Sequence, residues 1–239
     1  MEKEKCVIGG RECIIYGQNC PELILMQPVD DHDIEGLDNE VNYISDNTDA
    51  PFVLAAFKIN DWNKELSPWK AKAVFGNDDF GDGAEETLEY VTDILIPEIN
   101  YRYVLKDDAP YIIGGYSLAG LFALWCVYNT DIFDAVSAAS PSVWFPGWID
   151  YIHDAHYKCN TIYLSLGDKE EKAKNPVMAA VGNNIRAMAE YYSKLSGLNS
   201  ILEWNQGNHF RDADIRTAKG FVWTVNAVMN NNMNKDMKG

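Results

Sequence analysis

Ser117 stands in the residue pattern that a serine nucleophile requires. It lies in the run Gly-Gly-Tyr-Ser-Leu-Ala-Gly, between an apolar strand pattern at residues 111–113 and an apolar helical pattern at 121–126. A serine at the apex of such a strand–turn–helix sits in a strained turn, so the residues two before and two after it must be small. Here they are Gly115 and Ala119. The pattern predicts a nucleophile; the alternative is an ordinary turn between strand and helix.

His209 is the candidate general base. A serine hydroxyl is a poor nucleophile unless a base takes its proton, and the chain has four histidines. Only His209 follows the last predicted strand and a polar turn, which is where the base lies in chain order behind such a serine. The sequence therefore predicts that His209 activates Ser117.

Three carboxylates compete to be the acid that orients the imidazole and stabilises its charged form. All follow the strand pattern at residues 161–166. Glu170 is preferred because it stands three residues after Gly167, a spacing at which many hydrolases place their acid. Asp168 is the alternative acid or a cap of the turn, and Glu171 is either a third candidate or solvated charge.

Two backbone N–H groups are expected to bind the oxyanion of an acyl-transfer reaction. The first is the Leu118 amide at the N-terminus of the helix after the serine, where free amides favour negative charge. The second is expected after the strand pattern at residues 23–26. Pro28 has no N–H there, so the donor is Val29 or Asp30.

The acidic run Asp30-Asp31-His32-Asp33 has two interpretations. Carboxylates and an imidazole are competent metal ligands. No second histidine at ligand spacing accompanies them, so no metal site is predicted. We expect His32 to line the substrate pocket instead.

Aromatic side chains are further candidate substrate contacts. Trp62 and Trp69 occur in a segment where they either cover a substrate or belong to the core. Trp144, Phe145 and Trp148 favour an apolar or aromatic acyl group, or stacking on a sugar ring.

Alternating strand and helix patterns predict the scaffold that positions these residues. The first twenty residues predict a hairpin that turns at Gly9-Gly10. Six apolar runs typical of buried strands follow, at residues 23–26, 52–57, 111–113, 135–139, 161–166 and 201–204. Helical stripes occur at residues 88–99, at 177–195 behind an Asn-Pro start signal, and at 215–229. This order predicts one α/β domain over residues 1–239 with a doubly wound, mostly parallel sheet and an N-terminal antiparallel hairpin.

The overall charge excludes several classes of partner. A formal net charge of -16 argues against nucleic acid and against an anionic membrane, because both need a basic face. No apolar run is long enough to span a bilayer. The charged N-terminus lacks a secretory segment and the five cysteines lack CxxC pairing. We therefore expect reduced thiols and a cytoplasmic location. No feature predicts an oligomer interface.

Four short segments together resemble the esterase-D-like family of the α/β-hydrolase superfamily. They are Gly114–Gly120, Ser140–Phe145, Leu166–Glu171 and Gly207–Phe210. This family includes siderophore, feruloyl and acetyl xylan esterases and the mycolyltransferases. The resemblance covers about residues 20–230, although Ala119 stands where the family more commonly has glycine.

The resemblance implies an α/β-hydrolase fold and a small-molecule ester substrate, with no cofactor. It assigns Ser117 as nucleophile, His209 as base and Glu170 as acid. Some siderophore esterases of this family work with little more than a serine–histidine pair.

Esterase activity through an acyl-enzyme is therefore the predicted function. One alternative is an acyltransferase that uses the same site. Another is a catalytically silent α/β-hydrolase fold that serves as a binding module. A nucleotide-binding protein is disfavoured, because no G-x-G-x-x-G follows the first strand and no G-K-[ST] occurs.

Overall fold

Eight strands make up the scaffold. The computed structural model describes residues 1–74, 76–105 and 109–236. In chain order the strands are β1 (Glu2–Ile8), β2 (Arg11–Gly17), β3 (Leu23–Val29), β4 (Phe52–Lys58), β5 (Tyr111–Tyr116), β6 (Ala135–Ala139), β7 (Thr161–Gly167) and β8 (Asn199–Asn205). Each predicted apolar run is part of one of these strands.

The strands form one sheet in the order β1-β2-β4-β3-β5-β6-β7-β8. The first two strands form an antiparallel hairpin, and β2 is also antiparallel to β4. The other six run parallel. Gly9 and Gly10 make the hairpin turn with φ values of 55° and 86°, a left-handed conformation that glycine adopts at little cost. The predicted fold class is confirmed.

Helices cover both faces of this sheet. They are α1 (Asp31–Asp46), α2 (Trp62–Glu65), α3 (Ala84–Tyr90), α4 (Ile96–Arg102), α5 (Leu118–Asn129), α6 (Trp148–Asp154), α7 (Pro176–Ala179), α8 (Val181–Ser193) and α9 (Ala213–Asp236). A π-helical turn over Val91–Leu95 joins α3 to α4, and a 3₁₀ turn over Glu170–Lys172 follows β7. None of the helices in the described ranges is long and apolar enough to cross a membrane.

Alternate side chains of the central strands enter two separate cores. In β3, Leu23 and Leu25 pack in one core with residues of α1 and α9. Ile24 and Met26 pack in the other core with residues of α5 and α8. Because both faces are buried, the strand sequences read as continuous apolar runs.

Helix α1 was not predicted from the sequence, where residues 30–33 were considered as metal ligands or as lining of the substrate pocket. The structure begins this helix at Asp31, with Asp30 as its N-cap. The Asp30 carboxylate accepts from the Asp33 amide at 2.8 Å, and the Asp33 carboxylate accepts from the Asp30 amide at 3.2 Å. This reciprocal capping box satisfies two amides of the first turn, so the acidic run is a helix start.

The predicted stripe at residues 88–99 is interrupted by the π-helical turn. Pro97 has no N–H, and in a regular α-helix its ring would clash with the carbonyl four residues before it. The Ile96 amide instead reaches the Val91 carbonyl, an i→i+5 bond that widens the helix locally.

The predicted stripe at residues 177–195 is divided between α7 and α8. The side chain of Asn175 caps α7 as expected, accepting from the amides of Val177 and Met178. Helix α8 then buries Val181, Ile185, Met188 and Tyr192. Val177 lies on the surface, and Leu195 lies beyond the end of the helix.

Candidate active site

Ser117 occupies the sharp turn between β5 and α5. Its φ of 57° and ψ of −119° lie in a region that a residue with a Cβ rarely adopts. Backbone hydrogen bonds hold it there. The Ser117 amide donates to Ala139 O at 3.1 Å, and its carbonyl accepts from the amides of Leu121 at 3.1 Å and Ser142 at 3.0 Å. The serine is thereby held, half-buried, at the carboxyl end of β5.

Small residues around the serine are a steric requirement. A Cβ added at Gly115 would lie 2.7 Å from the Ala119 Cβ and 2.9 Å from the Ala119 carbonyl carbon. The turn thus brings position 115 into direct contact with position 119. Alanine at 119 fits only because position 115 has no side chain.

His209 lies within hydrogen-bonding distance of Ser117, although 92 positions separate them in the chain. Its Nε2 is 3.0 Å from the Ser117 Oγ. The hydroxyl of Tyr116 donates to the His209 carbonyl at 2.7 Å, which anchors the backbone of the loop after β8. The imidazole therefore faces the hydroxyl that it would deprotonate.

Glu170 lies on the other side of the imidazole. Its Oε2 is 2.7 Å from His209 Nδ1. Its Oε1 accepts from Ser140 Oγ at 2.7 Å, from the Gly167 amide at 2.7 Å and from Arg216 Nη1 at 3.1 Å. Three donors on one oxygen leave the other oxygen directed at the histidine.

The other two carboxylates of this segment have different partners. Asp168 Oδ1 accepts from the Gly207 amide at 2.8 Å, so it caps the turn before the histidine. Glu171 Oε2 pairs with Arg186 Nη2 at 2.7 Å. Of the three candidates, only Glu170 contacts His209.

A second serine lies beside the first. Ser142 Oγ is 3.3 Å from Ser117 Oγ, and Ser142 is buried in the turn after β6. Sequence reasoning used Ser140 and Ser142 only as parts of a family motif. Their position at the carboxyl end of β6, next to β5, was the signal that could have identified them.

Arg216 was also missed. It is a buried arginine in the first turns of α9, on the same helix face as Gly220 and Thr224. The available signal was a charged residue at four-residue spacing from positions with small or buried side chains. It does not reveal the partner, which lies 46 positions away in the chain.

A cavity of about 370 Å³ lies beside the serine turn. Two predicted site residues, Val29 and His32, line it together with Tyr116 and Phe210. Tyr116 directly precedes Ser117 in the chain, and Phe210 directly follows His209. Its charged lining residues are Asp33, Glu35, Glu40, Asp212 and Asp214; no lysine or arginine of the described residues lines it. Burial raises the pKa of Asp33 to about 6, helped by the nearby Asp30 carboxylate.

The first predicted oxyanion donor directly follows Ser117 in the chain. Leu118 is the first residue of α5, and the first amides of a helix have no partner within it. The two candidates for the second donor have different surroundings. The Asp30 amide is bound by the Asp33 carboxylate, and Val29 is the last residue of β3.

The predicted aromatic contacts lie in different environments. Trp144 is buried with its ring 6.0 Å from Phe80. Phe145 and Trp148 are also buried core residues, which does not favour the expected stacking on a substrate. Trp62 is half-buried in α2 and lines a separate surface depression with Asn60, Asp61 and Asn63. Trp69 packs against Phe145 and Tyr151, and its Nε1 donates to Pro146 O at 2.8 Å.

A metal site of this kind would need three or more histidine, cysteine or acidic side chains close together. No such group is present in the described part of the chain. Asp30 and Asp33, the residues that invited this interpretation, cap α1. All five cysteines are free thiols.

Comparisons with known proteins identify the family. A family model described as "Putative esterase" matches residues 16–206. Among curated proteins, no sequence matches the chain.

Several solved structures share the fold at low sequence identity. An IroE-like serine hydrolase from Shewanella oneidensis has a TM-score of 0.77 at 14% identity, over 92% of this chain and 79% of that one. The siderophore hydrolase EstA from Aspergillus nidulans has 0.64 at 16%, over 95% and 94%. FphF, a fluorophosphonate-binding serine hydrolase of Staphylococcus aureus, has 0.61 at 10%, over 94% and 97%. The family match spans most of the chain, and the fold and the serine turn agree with it. The chain therefore belongs to this esterase family of the α/β-hydrolase superfamily.

Proposed function

We propose that this protein is a serine esterase that cleaves a carboxylic ester through an acyl-enzyme on Ser117. The observation that supports it is one continuous chain of contacts. The Ser117 hydroxyl is 3.0 Å from one nitrogen of His209, and the Glu170 carboxylate is 2.7 Å from the other. This is the arrangement of nucleophile, base and orienting acid that acyl transfer uses.

The first half of the reaction forms the acyl-enzyme. Ser117 Oγ attacks the ester carbonyl carbon while its proton passes to His209 Nε2, and the carbonyl electron pair moves onto oxygen. The resulting imidazolium is stabilised by the Glu170 carboxylate. The tetrahedral intermediate then collapses, the bond from carbon to the alkoxy oxygen breaks, and the departing oxygen takes the proton from Nε2.

The second half releases the acid. A water molecule gives a proton to His209 Nε2 as its oxygen attacks the acyl carbon. When this intermediate collapses, Ser117 Oγ leaves and recovers its proton from the imidazolium. The enzyme is regenerated, and ester plus water have become alcohol plus carboxylic acid, so no cofactor is needed.

Backbone amides are assigned to the oxyanion. The Leu118 amide, at the start of α5, is the first donor, and the Val29 amide is the second. Each such donor is worth about 3 kcal/mol to the transition state. His32 and Trp144 are proposed substrate contacts, since His32 lines the cavity beside the serine turn and Trp144 follows Ser142 by two residues. Trp62 is a more remote candidate.

A panel of esters tests this function. Acetyl, longer acyl, feruloyl and siderophore-type esters would be incubated with the wild type and with Ser117→Ala and His209→Ala. Labelling by a fluorophosphonate probe would be measured in parallel. We expect the wild type to cleave at least one ester class and to be labelled, and both variants to lose each property. Equal turnover by wild type and Ser117→Ala would contradict the proposal.

The same panel separates the alternatives. A binding module would neither cleave esters nor react with the probe. An acyltransferase would be labelled, but it would pass the acyl group to an added alcohol or sugar in preference to water.

A further inference from the structure

We propose that Arg216 is the positioning residue of this site. Its charge and planar shape hold the Glu170 side chain and the loop that carries His209 in the positions that catalysis requires. This inference rests on the proposed function, because it assigns the residue through which the acid and base act. Arg216 touches neither the serine nor a substrate position.

Arg216 and its carboxylate partner are both buried. Its side chain is 2% exposed, and that of Glu170 is 5% exposed. Removing an arginine from water is costly unless its donors are satisfied. A buried arginine therefore persists where its partners are fixed, and the nearest carboxylate is the one that contacts His209.

The guanidinium reaches three partners at once. Nη1 is 3.1 Å from Glu170 Oε1 and 3.1 Å from the Tyr116 hydroxyl, and Nη2 is 3.1 Å from Gln206 O. The Tyr116 hydroxyl in turn donates to the His209 carbonyl at 2.7 Å. One rigid group thus locates the acid side chain and, through Tyr116 and Gln206, the loop that carries the base. A lysine has a single ammonium and cannot reproduce this fork.

The charge of Arg216 also opposes protonation of the pair. The active form needs an ionised Glu170 and a neutral His209. Adding one proton to either residue gives an inactive form, and a nearby cation disfavours both. Replacing Arg216 is therefore expected to change the pH dependence of the reaction.

Among the described titratable groups near Glu170 and His209, Arg216 is the one that compensates the charge of the Glu170 carboxylate. Tyr116, at the end of β5, stays neutral because burial raises its pKa to about 12. Asp168 is directed at the Gly207 amide and Glu171 at Arg186. Arg211, after the histidine, pairs with Asp212 at the surface.

The pH dependence of fluorophosphonate labelling tests this role without knowledge of the natural ester. The second-order labelling rate would be measured from acidic to alkaline pH for the wild type and Arg216→Met. The acidic limb of this profile is the range in which the labelling rate rises with pH. For Arg216→Met we expect it to move to higher pH by about one unit, as loss of an adjacent opposite charge typically produces. Arg216→Lys is expected to keep the limb near its wild-type position and to label more slowly on the plateau, because the charge stays and the fork is lost.

Two controls isolate the effect. Arg186→Met removes the arginine paired with the next carboxylate, Glu171, and is expected to leave the limb unchanged. In a Glu170→Gln background, Arg216→Met is expected to cause less than half the shift seen in the wild type. An equal shift in both backgrounds would mean that Arg216 does not act through Glu170, which contradicts the proposal.

The outcomes separate this inference from the function on which it rests. A folded Arg216→Met protein with a wild-type limb overturns the role of Arg216, while loss of labelling in Ser117→Ala keeps the esterase assignment. Wild-type labelling of Ser117→Ala overturns the esterase assignment itself. If Arg216→Met does not fold, Arg216→Gln, which retains hydrogen-bond donors without the charge, is expected to show the same shift, and a wild-type limb in that variant overturns the proposal.

Discussion

Two neighbouring carboxylates of this protein each pair with an arginine, and the two pairs have opposite surroundings. Glu170 and Arg216 are 2% to 5% exposed and share their hydrogen bonds with the site. Glu171 and Arg186 are 32% and 47% exposed, and Arg186 also lies 4.9 Å from the centre of the Trp204 ring. The surface pair has the shorter distance, 2.7 Å against 3.1 Å. The two pairs therefore differ in burial and in the number of shared partners, and the shorter distance belongs to the pair outside the proposed site.

The largest expected effect distinguishes the two carboxylates by activity. Glu170→Ala removes the group that orients His209 and stabilises its charged form, and we expect kcat to fall by about 10⁴-fold. Glu171→Ala leaves those contacts intact and is expected to retain kcat within about twofold, like most surface substitutions. Steady-state kinetics on an ester that the wild type cleaves measures both. A loss of less than tenfold in Glu170→Ala would indicate that the serine–histidine pair suffices.

The two arginines are expected to differ next in stability. Arg216→Met leaves a buried carboxylate without its cation, which costs about 3–5 kcal/mol of unfolding free energy. Arg186→Met loses an exposed pair, worth about 0–1 kcal/mol. Urea unfolding followed by circular dichroism compares them. Similar losses in both variants would contradict the distinction between the pairs.

Tyr116 tests the contact between Arg216 and the loop that carries His209. Tyr116→Phe removes the hydroxyl that links Arg216 to the His209 carbonyl, and we expect about a tenfold loss of kcat, the size of one hydrogen bond to a charged group. Tyr151→Phe is the matched control, since its hydroxyl bonds to Asn129 away from the serine. It should lose some stability and retain kcat. Equal kcat values in the two variants would show that the Tyr116 hydroxyl does not help to position His209.

The smallest expected effect is the response to salt. Exposed charges are screened at high ionic strength, where the Debye length falls to about 3 Å at 1 M. The stability difference between the wild type and Arg186→Met is therefore expected to vanish in 1 M NaCl. The difference for Arg216→Met should persist. Thermal unfolding at low and high salt checks this, and a salt-sensitive Arg216 effect would show that water reaches the buried pair.

Local patterns explain the sequence predictions that are confirmed. The eight strands, the glycine turn of the hairpin and the Asn175 cap depend on neighbouring residues only. The 3-residue step from Gly167 to Glu170 has an equally local basis, because the Gly167 amide donates to that carboxylate. Helix α1 was missed because its acidic start was considered as a metal or pocket site and not as a helix cap.

From the residues alone we could predict the strand and helix patterns, the small residues around Ser117, and the chain order of serine, acid and histidine. The folded chain was needed to find which carboxylate meets His209, that Arg216 and Ser140 contact it, and that Phe145 and Trp148 are core residues. The reason is physical. A short-range pattern limits the backbone of its own segment, whereas burial and hydrogen bonding of a side chain depend on residues that folding brings from distant positions.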